Sequence, residues 1–60
     1  MNELSDQDRK MIDHLKKCLR ALHMALAVAE KEEYGYMVKD PIRLSINEIH
    51  VSISVVLGHV

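Results

Sequence analysis

The chain has 60 residues, a formal net charge of −1, a single cysteine and only two aromatic residues, both tyrosines. Its 48% hydrophobic and 28% charged residues are typical of a globular chain and exclude collagen-like and disordered classes. Chains this short bury only about 60% of their extended surface alone. Disulfides, a metal or oligomerisation usually compensate. One cysteine excludes an internal disulfide, and the absence of CxxC or HxxxH spacing excludes a classical zinc module. We therefore expect oligomerisation or a protein partner.

Residues 5–33 are predicted to form one long helix. Ser5 is a favourable N-cap, acidic residues follow in the first turn, and no glycine or proline interrupts the segment. Gly35 is expected at the C′ position, where the helix ends. The apolar residues recur at steps of three and four, which is the a/d spacing of a heptad repeat. They are Ile12, Leu15, Leu19, Leu22, Leu26 and Ala29.

Residues 34–40 are predicted to connect this helix to a second helix over 41–57. Asp40-Pro41 favours a start at residue 41, whereas the capping box formed by residues 45–48 favours a start at 46. The richness in Ile and Val also permits a strand. A strand, however, would have to change phase between residues 46 and 49, where the sequence is unsuited to a tight hairpin turn. A helix needs no such change, because one stripe about 100° wide holds most of the large residues. They are Ile42, Ile46, Ile49, Ile53, Val56 and Leu57.

The predicted fold is all-α, a single antiparallel helical hairpin spanning residues 1–60. Its core is expected to contain Ile12, Leu15, Leu19, Leu22, Leu26, Ile46, Ile49 and Ile53. Two helices cannot bury every apolar residue on each other, since residues 21–29 are apolar nearly all round, with His23 as the exception. A further apolar set, Leu44, Val51 and Val55, falls on the other side of the second helix. We therefore expect a homodimer forming a four-helix bundle, or insertion of a hairpin face into another protein.

Three features mark the expected dimer or partner interface. The first is the set Leu44, Val51 and Val55. The second is a row of small residues at every fourth position, which permits close approach of another helix: Ala21, Ala25 and Ala29. The third is the connection, where both aromatic residues lie within three positions and a methionine follows: Tyr34, Tyr36 and Met37. Tyrosine and methionine are favoured at contact surfaces.

The first helix also carries a block of basic residues, which offers a second interpretation. These are Arg9, Lys10, Lys16, Lys17 and Arg20, with Asp13 among them. Such a block suits a nucleic-acid backbone, although no aromatic residue accompanies it for base stacking. In outline, a hairpin that dimerises is similar to Rop-type RNA-binding bundles and to small helical-hairpin phosphatases acting on sporulation regulators. The motif residues of those families are absent, so the outline implies no site residues here.

The sequence contains no arrangement of residues that suggests catalysis. The four histidines are His14, His23, His50 and His59, and no nucleophile–base pair accompanies them. His14 and Cys18 are spaced to share a helix face, but two ligands do not complete a metal site. We therefore expect no enzyme activity, no cofactor and no metal.

The sequence thus predicts a small non-catalytic regulatory or adaptor protein that binds proteins as a homodimer, of the kind that modulates or inhibits host proteins for phages and mobile elements. The alternative is a small dimeric nucleic-acid-binding protein that uses the basic face of the first helix. A lone cysteine is typical of a reducing compartment, and no apolar stretch approaches the roughly 20 residues of a membrane span. We therefore expect a cytoplasmic protein.

Overall fold

The computed structural model describes residues 4–58 and is all-helical. Helix α1 spans Asp6–Lys31 and helix α2 spans Tyr36–Gly58. The two helices pack against each other as a hairpin 47 × 14 × 13 Å in extent. The predicted helical hairpin is confirmed, including the assignment of 42–57 as helix rather than strand. Packing of the Ile-rich stripe against α1 therefore outweighs the strand propensity of this segment.

Helix α1 begins where the sequence predicts. The Ser5 side chain accepts a hydrogen bond from the Asp8 backbone N–H at 3.0 Å, which satisfies one of the four N–H groups without a partner inside the helix. Asp6 and Asp8 lie in the first turn, near the positive end of the helix dipole. The predicted N-cap at Ser5 is therefore confirmed.

The end of α1 differs from the prediction, because the helix stops at Lys31 rather than at residue 33. Glu33 adopts the left-handed conformation, with φ of 60°. Its N–H donates to the Glu30 carbonyl at 3.1 Å, and the Tyr34 N–H donates to the Ala29 carbonyl at 2.9 Å. These bonds form a Schellman motif with Glu33 as the C′ residue. The prediction that Gly35 is the C′ residue is wrong.

Helix α2 begins at Tyr36, five residues before Pro41, so both predicted starts are wrong and the connection is shorter than 34–40. The Gly35 carbonyl accepts hydrogen bonds from Val38 and Lys39, each at 3.1 Å, and so opens the helix. Pro41 lies inside α2. Because it has no N–H, the Met37 carbonyl lacks its usual donor four residues on.

The core is a thin seam between the two helices. Among residues 4–58, three side chains are buried, namely Ile12, Ala29 and Ile46, which are 8%, 3% and 8% exposed. The rest of the seam is half-buried: Leu15, Leu19, Leu22, Leu26, Ile42, Ile49, Ile53 and Val56. The seam follows the predicted heptad spacing, except that Leu57 is exposed. A single pair of helices thus leaves most core side chains partly in contact with water.

Candidate protein-binding surface

Large apolar side chains are exposed on both helices and in the connection between them. Besides Leu57, they are Met11, Met24, Val28, Tyr34, Tyr36, Met37, Val38, Leu44, Val51 and Val55. Single exposed apolar residues are ordinary, but contiguous apolar patches on a soluble chain mark contact sites. The spacing of these residues decides whether they are isolated exposed side chains or parts of contiguous patches.

On α1 the exposed residues form a second heptad-spaced row, which we call the α1 stripe. Each member lies one residue before a member of the buried seam, so the two rows are about 100° apart around the helix. The α1 stripe consists of Met11, His14, Cys18, Ala21, Ala25 and Val28, all exposed. The middle of the stripe consists of small residues, among them Ala21 and Ala25, which the sequence assigns to a partner interface and which are exposed.

Ala29 does not belong to the exposed surface, although the sequence suggested it for the partner interface. It is 3% exposed within the single chain, without any partner subunit. Ala29 also lies on the predicted a/d seam, and the structure places it there. The row of alanines at every fourth position therefore crosses from the α1 stripe into the core of the hairpin, because a step of four residues drifts around a helix with 3.6 residues per turn.

On α2 a second row, the α2 stripe, runs along the side turned away from α1. Its steps are also four and three, and its members are Met37, Pro41, Leu44, Glu48, Val51 and Val55, all exposed. Leu44, Val51 and Val55 are 59%, 62% and 50% exposed. The single charged member, Glu48, lies near the middle.

The α1 and α2 stripes lie on the same broad side of the hairpin. At 100° per residue, both rows are displaced from the buried seam toward that side. The opposite side is polar. There, Arg43 of α2 forms an ion pair with Glu30 of α1 at 3.4 Å, and His23 and His50 are exposed nearby in the helical projection. The hairpin therefore has one side rich in apolar residues and one polar side.

The basic residues of α1 do not form a single patch. Helical spacing places Arg9, Lys16 and Arg20 toward the polar side, whereas Lys10 and Lys17 flank the α1 stripe. Asp13 separates the two groups. Its carboxylate lies 3.1 Å from the Lys17 ammonium, and the hydrogen bond and charge of that ammonium lower the pKa of Asp13. Among the described residues, Arg9, Lys16 and Arg20 form no ion pair.

The connection presents the tyrosines and the methionine singled out from the sequence. Tyr34 follows the C′ residue of α1 and is 52% exposed, whereas Tyr36 and Met37 form the first turn of α2 and are 74% and 92% exposed. Met37 is the first member of the α2 stripe. The end of the hairpin near the connection is therefore continuous with the apolar side.

His14 and Cys18 are both exposed on the α1 stripe. Within residues 4–58, no three His, Cys, Asp or Glu side chains are grouped as a metal site would require, and no pocket is found. His59 lies outside the described residues. In the same range, no helix combines the length and apolar character needed to cross a membrane.

Three members of this surface on α1, Met11, Cys18 and Val28, are not predicted from the sequence, because His14 interrupts their row of apolar residues. The step pattern of three and four residues, applied one residue before the seam on α1, identifies them. Models of protein families, curated proteins and solved structures were all compared with this chain, and none matches it.

Proposed function

We propose that this chain is a small non-catalytic regulatory or adaptor protein that acts by protein–protein binding and works as a homodimer. The observation that carries the proposal is the apolar side of the hairpin, formed by the α1 and α2 stripes. Both helices repeat exposed apolar residues at heptad spacing, which is the pattern of helix faces that pack against further helices. A surface used only for contact with water has no need of such a repeat.

The extent of the exposed surface supports the same proposal. The accessible surface is 4892 Å², whereas a compact monomer of this mass is expected to expose roughly 4,000 Å². The excess is close to the area of about 800 Å² that one partner contributes to a standard protein interface. Covering the apolar side would also complete the burial of the half-exposed seam.

A substitution in the α2 stripe tests this proposal. Val51→Asp places a charge at the exposed side of α2, where the hairpin itself does not need an apolar side chain. We expect it to retain helical circular dichroism but to lose assembly in sedimentation. Asn47→Asp is the matched control, because residue 47 is exposed at a similar depth along α2 but outside the stripe. Equal assembly of both variants would contradict the proposal.

A second candidate function is binding of a nucleic-acid backbone. It is favoured by one observation, namely that Arg9, Lys16 and Arg20 share one side of α1 without ion-pair partners among the described residues. The separation of Lys10 and Lys17 from that group weakens it. Its test is a salt titration of binding to DNA or RNA fragments, since phosphate contacts weaken steeply as salt is raised.

A further inference from the structure

We propose that the occupant of the apolar side is a second copy of this chain, with the α1 stripe packed antiparallel on the α2 stripe of the partner subunit. The inference deepens the proposed homodimer and rests on it. It assigns the contact as α1 with α2, rather than α1 with α1, and it places both connections at the same end of a four-helix bundle.

The sizes of the side chains in the two stripes are complementary. The middle of the α1 stripe has the small residues Cys18, Ala21 and Ala25, which form a shallow groove. The α2 stripe has the large side chains of Leu44 and Glu48 at the same depth, with Val51 one step farther from the connection, and these form a ridge. A ridge of large residues fills a groove of small ones, whereas two grooves or two ridges pack with voids or clashes.

The charges of the two stripes are complementary as well. The α1 stripe is flanked by Lys10 and by Lys17, the second of which also pairs with Asp13. The α2 stripe contains Glu48, with no lysine or arginine among its members. Packing α1 on α1 would bring the lysines of two copies together, and packing α2 on α2 would bring two Glu48 carboxylates together. Contact of α1 with α2 avoids both repulsions.

The levels of residues along the two helices of one hairpin also determine which residues of two copies face each other. Leu44 and residue 23 lie at equal distances from the turn, about 16 Å along their helices. A two-fold axis parallel to the helices preserves this level between subunits. It therefore sets Leu44 of the partner subunit between Ala21 and Ala25, and Glu48 of the partner subunit within one residue of the level of Cys18. Because both stripes face the same side of the hairpin, one such axis forms both copies of the contact.

Disulfide trapping with the native cysteine tests this arrangement. We expect Glu48→Cys to form a disulfide-linked dimer on mild oxidation, with Cys18 of one subunit joined to the new thiol of the other, as mapped by peptide mass spectrometry. Asn47→Cys is the matched control, because it introduces a thiol at nearly the same level outside the α2 stripe. Cys18→Ser combined with Glu48→Cys should abolish the product.

Each result has a defined consequence. At least several-fold more linked dimer for Glu48→Cys than for Asn47→Cys supports the α1–α2 contact. Equal trapping overturns it, and so does efficient linkage of the native chain through two Cys18 residues, which would indicate α1 packed on α1. Sedimentation of the native chain distinguishes failure of the α1–α2 packing from failure of the homodimer. If the chain is a dimer but Glu48→Cys forms no disulfide with Cys18, only the packing is contradicted. If the chain is a monomer, the proposed homodimer is contradicted as well.

Discussion

Arg43 Nη2 of α2 lies 3.4 Å from Glu30 Oε1 of α1, and in residues 4–58 this is the ion pair that joins the two helices. The two Cα atoms are not at the same level. Side chains lean toward the N-terminus of their helix, so in an antiparallel pair Glu30 and Arg43 approach each other along the axis. The contact is consistent with an antiparallel pair of helices in which residues equally far from the turn lie at the same level.

Glu30→Gln is expected to lower the free energy of unfolding by less than about 1 kcal/mol, since both side chains are about half exposed and the pair is screened by water. Chemical denaturation at low salt measures the difference, and 1 M salt should remove most of it. Arg43 also lies 3.4 Å from Asp40 and retains that contact in the variant. A loss of several kcal/mol would show that the pair is more deeply buried than described.

Glu33→Gly is expected to stabilise the chain by about 1 kcal/mol, because Glu33 has a left-handed conformation that costs a residue with a Cβ atom roughly that amount. Thermal or chemical denaturation measures the change. The matched control is Glu32→Gly, since Glu32 has φ of −88° and gains nothing from glycine. Its backbone becomes more flexible in the unfolded state, so that variant should be less stable than the parent. The opposite order would contradict the Schellman assignment.

Pro41→Ala is expected to stabilise α2 by about 1 to 2 kcal/mol, because alanine restores the hydrogen bond to the Met37 carbonyl that proline cannot make. Helical circular dichroism followed through denaturation measures the gain. If the helix began at Pro41 instead, proline would occupy its favoured first position and the substitution would give no gain. A neutral or destabilising result would therefore contradict a start at Tyr36.

The sequence was sufficient to predict the seam between the helices but not the ends of the helices. The heptad steps from Ile12 to Ala29 and the Ser5 cap are local signals, and each appears as expected. The start of α2 depends on how a four-residue connection closes against α1, and this outweighs the strong local signal of Asp40-Pro41. The left-handed residue is Glu33 rather than Gly35 for the same reason, since the closure of the turn fixes its position.

The candidate surface was partly predictable from the sequence. Leu44, Val51 and Val55 were expected outside the hairpin core, and they are exposed. Helical spacing predicts which row on α1 is covered by α2, but it does not exclude a residue of that row from the partner interface. Ala29 illustrates this limit, because the sequence assigns it to both the seam and the partner interface and the packing assigns it to the seam.

Reversal of charge on the polar side separates protein binding from nucleic-acid binding. Lys16→Glu combined with Arg20→Glu should leave assembly unchanged, since both residues lie away from the α1 stripe. The native chain should show no strong, salt-dependent binding to DNA or RNA fragments in fluorescence anisotropy. If it does bind, with an affinity that falls steeply with salt and is lost in the double variant, the nucleic-acid function is supported instead.

The most direct test of the central claim is the mass of the native chain in solution, measured by sedimentation equilibrium or light scattering at micromolar concentrations. The proposed homodimer predicts twice the chain mass of 6.9 kDa. It also predicts a shift toward monomer for Val51→Asp but not for Asn47→Asp. A folded, helical monomer that persists as the concentration is raised would contradict the claim that a second copy covers the apolar side.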